Sequence, residues 1–164
     1  PNTKTELLLN LRKLRRKFEV ISVECASNKI AVAAARDRRV DLINFPLNFK
    51  TKFTHSIAHV LIGALEINLV DLIMPKTSRT FVLNKLINEV FVAKLNNIPI
   101  VVSSGATNLL LLRAPREMAA WSLLFKLDPL EALSSVSTIP ASIIERNRIK
   151  LSRFYIGEGI KIVG

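Results

Sequence analysis

The sequence predicts an α/β protein in which parallel strands alternate with helices. Runs of apolar, β-branched residues alternate with segments of helical spacing, and the first run, "EVISVEC", is apolar on both faces like a buried parallel strand. Strand–helix–strand repetition predicts right-handed βαβ units. With 164 residues, the chain is shorter than the roughly 200 that a complete eight-unit barrel needs. We therefore expect one domain over residues 1–164, either an open doubly wound sheet or a partial barrel.

The first half of the chain supplies three predicted strands. Leu7, Leu11 and Leu14 have helical spacing, and polar residues that favour helix N-caps precede two further helical segments. The predicted elements, in order, are a helix around residues 7–14, a strand over 19–25, a helix over 28–38 capped by Ser27, a strand over 40–45, a helix from His55 to about Gly63 capped by Thr54, and a shorter strand over 65–70.

The second half begins with one more strand and then becomes helical. Pro115 suits a first helical turn, where its missing N–H costs least, and Asp128 suits an N-cap because Pro129 and Glu131 follow it. The predicted elements are a helix starting at Ser78 or Thr77 and running to about Asn96, a strand over 98–104, a loop or short turn over 105–112, helices beginning near Pro115, Pro129 and Ile139, and a last short strand over 159–164.

Composition favours a polyanionic partner. The formal net charge is +11, and nucleic acid is the commonest partner of so basic a chain. Aromatic residues make up only 6%, which favours recognition of backbone and shape over base stacking. Polar residues interrupt the longest apolar stretch, so we expect no membrane span. Cys25 is the single cysteine, which excludes an intrachain disulfide and fits a cytoplasmic protein.

Catalytic candidates are few. In a βα architecture chemistry occurs where strands end, and there the chain offers Glu24 and Glu66 but no histidine. His55 and His59 have the i, i+4 spacing of a zinc-binding helix, but Ser56 stands where the general-base glutamate belongs. Cys25 has no base that the sequence identifies. We therefore expect no catalytic residue and no metal site.

Two segments near the last strand of the sheet could bind an anion. Ser103, Ser104 and Gly105 could offer backbone N–H groups to a phosphate, or could form a tight strand exit that needs the glycine. Arg113 and Arg116 flank a helix N-terminus, where cations oppose the macrodipole. A bound phosphate beside that N-terminus would explain both arginines.

Arg36, Arg38 and Arg39 cluster where a helix ends. Positive charge is favoured there by a few tenths to about one kcal/mol, but one arginine would satisfy the dipole, and Asp37 pairs with at most two of the three. Chain direction places this cluster at the N-terminal rim of the strands, and Ser103–Arg116 at the opposite rim. The sequence leaves open which kind of partner each rim meets.

Four segments together resemble a known family: "RDRRVDLINFP", "ALEINLVDLI", "IPIVVSSGATNLLLLRAPREMAAW" and "SSVSTIPASIIERNR". In this order they are similar to archaeal ribonuclease P protein component 3, the counterpart of a eukaryotic nuclear RNase P protein subunit. The resemblance spans about residues 17–148. It implies a TIM-like barrel without the metal ligands of the related polymerase-and-histidinol-phosphatase hydrolases. The family pattern has one more strand before the first helix, so we expect an incomplete barrel here.

The resemblance also implies a function. Such proteins bind the catalytic ribonuclease P RNA, pair with a second, RRM-like protein subunit, and support removal of 5′ leaders from precursor tRNA, with Mg²⁺ used by the RNA. The isolated chain would then be inactive, bind no cofactor and contact RNA through three arginines at one rim (Arg36, Arg38, Arg39) and five residues at the other (Ser103, Ser104, Gly105, Arg113, Arg116). The alternative is a small metal-dependent phosphoesterase that uses Glu24, Glu66, His55 and His59.

Overall fold

Four short strands form one parallel sheet. The computed structural model describes residues 1, 3–47, 51–75, 78–152, 155–157 and 160–161. The strands lie side by side in chain order, whereas a doubly wound sheet would reverse its strand order at a switch point. The sheet is therefore that of an incomplete TIM-like barrel, as predicted. Its strands are β1 (Ser22–Glu24), β2 (Leu42–Asn44), β3 (Ala64–Asn68) and β4 (Ile100–Ser103).

Eight described helices surround and follow these strands. Polar caps begin several of them: Ser27 Oγ accepts from Ile30 N, and the Asp128 carboxylate accepts from two backbone N–H groups. Two 3-10 turns, Leu109–Leu111 and Leu123–Phe125, flank the sixth helix. The helices are α1 (Lys4–Leu14), α2 (Asn28–Ala35), α3 (His55–Ala58), α4 (Val70–Ile73), α5 (Arg79–Leu95), α6 (Pro115–Ser122), α7 (Pro129–Val136) and α8 (Thr138–Leu151).

The two faces of the sheet differ in what covers them, because successive strand residues point to opposite sides. On the outer face Val23, Ile43 and Leu65 belong to the main core, which also contains buried residues of α1, α2, α3 and α5. On the inner face the N-terminal half of the strands forms a second, smaller core with Ile143 of α8. The C-terminal half of the inner face carries polar side chains.

The second and third helices are shorter than predicted. The second was expected over residues 28–38, but α2 ends at Ala35. The difference is larger for the third helix. We expected it to reach about Gly63, but α3 ends at Ala58. After Ala58 the N–H groups of Val60 and Leu61 donate to carbonyls three residues back, at Ile57 and Ala58. The N–H of Ile62 then donates to the carbonyl of Ala35 on α2, so a tertiary hydrogen bond takes the place of a helical one. Gly63 then passes so close to β2 that a Cβ would lie 2.4 Å from the carbonyl oxygen of Asp41.

Other differences concern short elements. The predicted strand over 65–70 ends at Asn68, and the one-turn helix α4 follows it. Of the strand predicted over 159–164 the structure describes only β6 (Ile160–Lys161), and the other positions lie outside the described residues. β6 pairs antiparallel with β5 (Tyr155–Gly157) and does not join the parallel sheet. Ser78 is the N-cap of α5, and the alternative start at Thr77 lies outside the described residues.

Candidate nucleic-acid interface

A basic groove crosses the N-terminal rim of the sheet. Its volume is about 440 Å³, and it is open to solvent. Three segments form it: the end of α1, the turn between α2 and β2, and the end of α8 with the residues after it. Helices that connect parallel strands run antiparallel to them, so their C-termini collect at this rim. The residues that line this basic groove are Arg15, Arg38, Arg39, Lys150, Leu151 and Tyr155.

Asp41 connects two of the segments that form the groove, α1 and α8, through hydrogen bonds. Its side chain is only 1% exposed, and it accepts a hydrogen bond of 2.6 Å from Arg15 on α1 and one of 2.7 Å from the Asn147 amide on α8. The N–H of Ile21 donates to the same carboxylate at 2.9 Å, and Arg146 lies 3.3 Å away. A buried carboxylate requires such donors. Asp41 therefore fixes α1 and α8 against the start of β1.

The predicted arginine cluster divides into two kinds of residue. Arg39 donates to Asp37 through both Nε and Nη2, at 2.9 and 2.6 Å. This hydrogen bond is the main reason that the pKa of Asp37 lies below its usual value, although partial burial opposes it. The side chains of Arg36 and Arg38 are exposed, and neither pairs with any residue in the part of the chain that the structure describes. Arg36 and Arg38 are therefore the members free to meet a phosphate.

At the opposite rim, Ser103–Gly105 forms a tight strand exit. The carbonyls of Ser103 and Ser104 accept from the N–H groups of Leu69 and Val70 at 2.9 and 3.0 Å. Gly105 has φ +61°, and a Cβ there would lie 2.9 Å from side-chain atoms of both Asn68 and Val70. The glycine is thus explained by the turn itself. A phosphate contact at these three residues stays a prediction.

Arg113 and Arg116 also have different surroundings. Arg113 Nη1 donates to the carbonyls of Leu110 and Leu112 at 2.9 and 2.7 Å, so this guanidinium stabilises the preceding 3-10 turn. Arg116 is exposed and has no side-chain partner among the described residues. Glu117 accepts from the N–H of Ala114 at 3.2 Å and caps α6. Arg116 is therefore the better placed of the two arginines for an external anion.

The polar half of the inner face is an internal hydrogen-bond network. Glu66 on β3 accepts from Ser22 on β1, from the Asn44 amide on β2 at 3.2 Å and from Ser103 on β4 at 3.1 Å. Asn68 also accepts from Ser103. The network spans all four strands. The Glu66 carboxylate in it accepts hydrogen bonds from neutral donors. The sequence indicated Glu66 and Ser103 as separate strand-end residues, but their hydrogen bond depends on the pairing of β3 with β4 and had no local signal.

The residues of the phosphoesterase alternative do not come together. Glu66 points to the inner face, whereas α3 packs through Ile57 into the core on the outer face. His55 Nδ1 lies 3.0 Å from the Asn96 amide at the end of α5, and His59 is exposed. Among the described residues no group of three histidine, cysteine or carboxylate side chains could hold a metal ion. The alternative is not supported.

Cys25 is a buried thiol. It is 0% exposed, and burial is the main cause that raises its pKa to about 12. The thiolate that a nucleophile requires is therefore not formed near neutral pH. No described helix is long and apolar enough to cross a membrane.

The sequence analysis did not place α8 at this rim. Lys150 and Tyr155 line the basic groove although they follow Arg39 by more than a hundred residues. A signal was present: the last turn of α8 carries Arg148 and Lys150, and the last turn of α1 carries Arg12 and Lys13. Helix C-termini of a βα fold share one rim, so their basic residues could have been grouped.

Comparison with known proteins gives a consistent result. A family model described as RNase P subunit p30 matches residues 2–152. Ribonuclease P protein component 3 of Methanosarcina mazei is 30% identical over 156 residues, and that of Methanosarcina barkeri is 27% identical; each alignment covers 92% of this chain and 64% of the relative. The chain therefore spans about two thirds of the length of these curated relatives.

A solved structure has the same fold. A chain in a cryo-EM structure of archaeal ribonuclease P with mature tRNA superimposes with a TM-score of 0.84. The superposition covers 100% of this chain and 73% of that chain, at 23% sequence identity.

Proposed function

This chain belongs to the RNase P subunit p30 family, and on that premise we propose that it acts as a protein subunit of ribonuclease P. In this role it binds the catalytic RNA and supports removal of 5′ leaders from precursor tRNA. Its curated relatives carry the name ribonuclease P protein component 3. Since the chain spans 64% of their length, the activity, substrate and partners of the whole protein belong to the proposal.

The basic groove is the observation that carries this proposal. A groove with four cationic side chains and a tyrosine suits the sugar–phosphate backbone, because Lys and Arg neutralise phosphates and release their counterions. Arg38 and Lys150 reach it from different segments, so the charge density depends on the fold. We propose that this rim meets RNA, with Arg36, Arg38 and Arg39 as contacts.

The remaining roles follow from family membership. Arg113, Arg116, Ser103, Ser104 and Gly105 are proposed as a second RNA contact, with Arg116 the strongest member. We propose that catalysis belongs to the RNA with its Mg²⁺, that the protein binds no cofactor of its own, and that precursor tRNA is met through the RNA. An RRM-like protein subunit is the proposed partner, and the cytoplasm is the proposed location, supported by a single, buried, free cysteine.

The test is the salt dependence of RNA binding. We expect the logarithm of the affinity for ribonuclease P RNA to fall linearly with the logarithm of salt concentration. The double variant Arg36→Ala/Arg38→Ala should reduce that slope by about 1.4–1.8, since each phosphate contact contributes about 0.7–0.9. Filter binding or fluorescence anisotropy over a salt series measures both quantities.

The matched control removes the same charge elsewhere. Arg79 and Lys126 are exposed and do not line the basic groove, so Arg79→Ala/Lys126→Ala should leave the slope within error of the unmodified chain. A flat salt response of the unmodified chain would contradict the proposed function. Equal losses in both double variants would show that net charge, and not the position of these two arginines at the N-terminal rim, determines binding.

A further inference from the structure

Three leucines are strongly exposed next to one another at the C-terminal rim. In the segment 109–112, here called the leucine turn, Leu109, Leu110 and Leu112 are 84%, 86% and 55% exposed. Single exposed leucines are normal on a protein surface. A contiguous apolar patch within four residues is different, because such patches mark interaction sites.

The leucine turn is held in one conformation by its flanking residues. Asn108 Oδ1 accepts from the N–H of Leu111 at 3.2 Å and caps the 3-10 turn. Arg113 closes the other side by donating to the carbonyls of Leu110 and Leu112. Both contacts order a segment in which three of the four leucines are exposed. A patch fixed in advance loses less conformational entropy when a partner covers it.

The chemistry of the patch selects the class of partner. Leucine side chains offer no hydrogen-bond donor to a phosphate. The sugar–phosphate backbone of RNA is polar, so binding it would not bury the leucines against apolar surface. A protein cleft can. With a net charge of +11 on this chain, a basic partner would be repelled, whereas carboxylates around the cleft would be attracted.

We propose that the leucine turn docks a second protein subunit of the same ribonucleoprotein, through an apolar cleft bordered by carboxylates on that subunit. This inference rests on the proposed function and adds a surface to it: protein binds at the leucine turn, while RNA binds at the basic groove and at the proposed second contact around Arg116. The two surfaces lie at opposite ends of the strands, so both can be occupied at once.

The experiment measures binding of the chain to each purified protein subunit of the ribonuclease P of the same organism, one at a time, by titration calorimetry. We expect one subunit to bind, and Leu109→Ser/Leu110→Ser to weaken it by at least about tenfold, because burial of one leucine alone is worth that much. The melting temperature should not change, since both side chains are exposed. Leu130→Ser, at a leucine that is 78% exposed on α7, is the matched control and should bind normally.

A second pair of variants tests the fixed conformation. Asn108→Ala removes the cap and should weaken binding of the same subunit, whereas Asn108→Ser keeps a capping oxygen and should restore it. Normal binding by the double leucine variant, or an equal loss in Leu130→Ser, would overturn the inference. So would a dimer of this chain that the leucine variants dissociate, because the occupant would then be a second copy.

RNA binding by the same variants separates this inference from the proposed function. The double leucine variant should keep the affinity and salt slope of the unmodified chain for ribonuclease P RNA. If the unmodified chain binds the RNA but none of the subunits, only the leucine-turn inference fails. If it binds neither, the proposed function fails as well. Loss of RNA binding in the leucine variants would assign the patch to RNA and overturn the inference.

Discussion

Asp41 is the residue at which three distant segments of the chain meet. Its carboxylate accepts from Arg15 on α1, Ile21 at the entrance to β1 and Asn147 on α8. Asn147 is itself 1% exposed and also donates to the carbonyl of Glu19 at 2.7 Å. The walls of the basic groove are therefore positioned by a buried polar centre.

The first prediction concerns the stability of this centre. Asp41→Ala leaves buried donors without an acceptor and should lower the free energy of unfolding by about 3–5 kcal/mol, as breaking a buried ion pair does. Glu19→Ala is the control, because the Glu19–Arg148 pair is exposed (44% and 65%) and ion pairs in contact with solvent add little to stability. Urea denaturation of both variants measures the difference. Similar losses in both would contradict a central role for Asp41.

At this scale the sequence predicted residue types better than residue partners. It placed Arg36, Arg38 and Arg39 correctly at a helix C-terminus, but which arginine Asp37 engages depends on the turn that follows α2. No pattern in the sequence predicted that Asp41 is buried or which residues it contacts. Its partners are up to 106 positions away, and contacts at that separation follow from the packing of α8 under the sheet, which no local pattern encodes.

At the scale of elements, α5 is unusual because it buries two charges. Lys85 and Glu89 lie one turn apart with Nζ and Oε1 3.7 Å from each other. Lys85 Nζ donates its hydrogen bonds to the backbone carbonyls of Phe45 and Pro46 and not to Glu89. Among the described residues Glu89 Oε1 has no hydrogen-bond partner. Burial, as the largest cause, raises the pKa of Glu89 to about 7, while the charge of Lys85 opposes it.

The second prediction is the pH dependence that follows. With a folded pKa of about 7 against an ordinary value of 4.5, the native state holds a proton that the unfolded state has lost. Stability should therefore decrease as pH rises from about 4.5 to 7. Glu89→Gln should remove this decrease and melt higher than the unmodified chain at pH 8, whereas Glu145→Gln, at an exposed site on α8, should not. Thermal melts from pH 4.5 to 8 test this, and parallel curves for the Glu89→Gln and unmodified chains would contradict it.

The order of the elements followed from the sequence, but some of their lengths did not. Apolar runs predicted all four strands because a buried parallel strand is apolar on both faces. The overestimate of α3 has a physical cause: Ile62 bonds to α2 and Gly63 must approach Asp41, and both contacts are tertiary. One-turn helices such as α4 contain too few residues for a periodic signal.

At the scale of the whole molecule, the direction of the chain separates two surfaces. Helix C-termini gather cations at the N-terminal rim, where the helix dipoles also favour them, and the strand exits present the leucine turn at the other rim. The sequence predicted both rims but left open what each one meets. The structure adds Lys150 and Tyr155 to the first rim, which favours RNA there, and it adds the leucine turn to the second rim, which favours a protein at that turn.

The last prediction concerns the cleavage of precursor tRNA. The strand ends of the described chain bring no catalytic cluster together, so we expect the purified protein alone not to cleave precursor tRNA, with or without Mg²⁺. Protein cations can replace the screening ions that a compact RNA needs, so adding this chain with its partner subunit to the cognate RNA should lower the Mg²⁺ concentration required for leader removal.

Variants of the three arginines after α2 make this expectation specific. Arg36→Ala/Arg38→Ala should raise the Mg²⁺ requirement again, because those guanidinium groups are exposed and unpaired among the described residues. Arg39→Ala should raise it less, since the charge of Arg39 is already balanced by Asp37 at 2.6 Å. Cleavage rates over a Mg²⁺ titration measure both effects. An unchanged requirement in the double variant would leave these arginines only their role at the helix C-terminus, and Mg²⁺-dependent cleavage by the protein alone, lost in Glu24→Gln, would make the protein itself the nuclease.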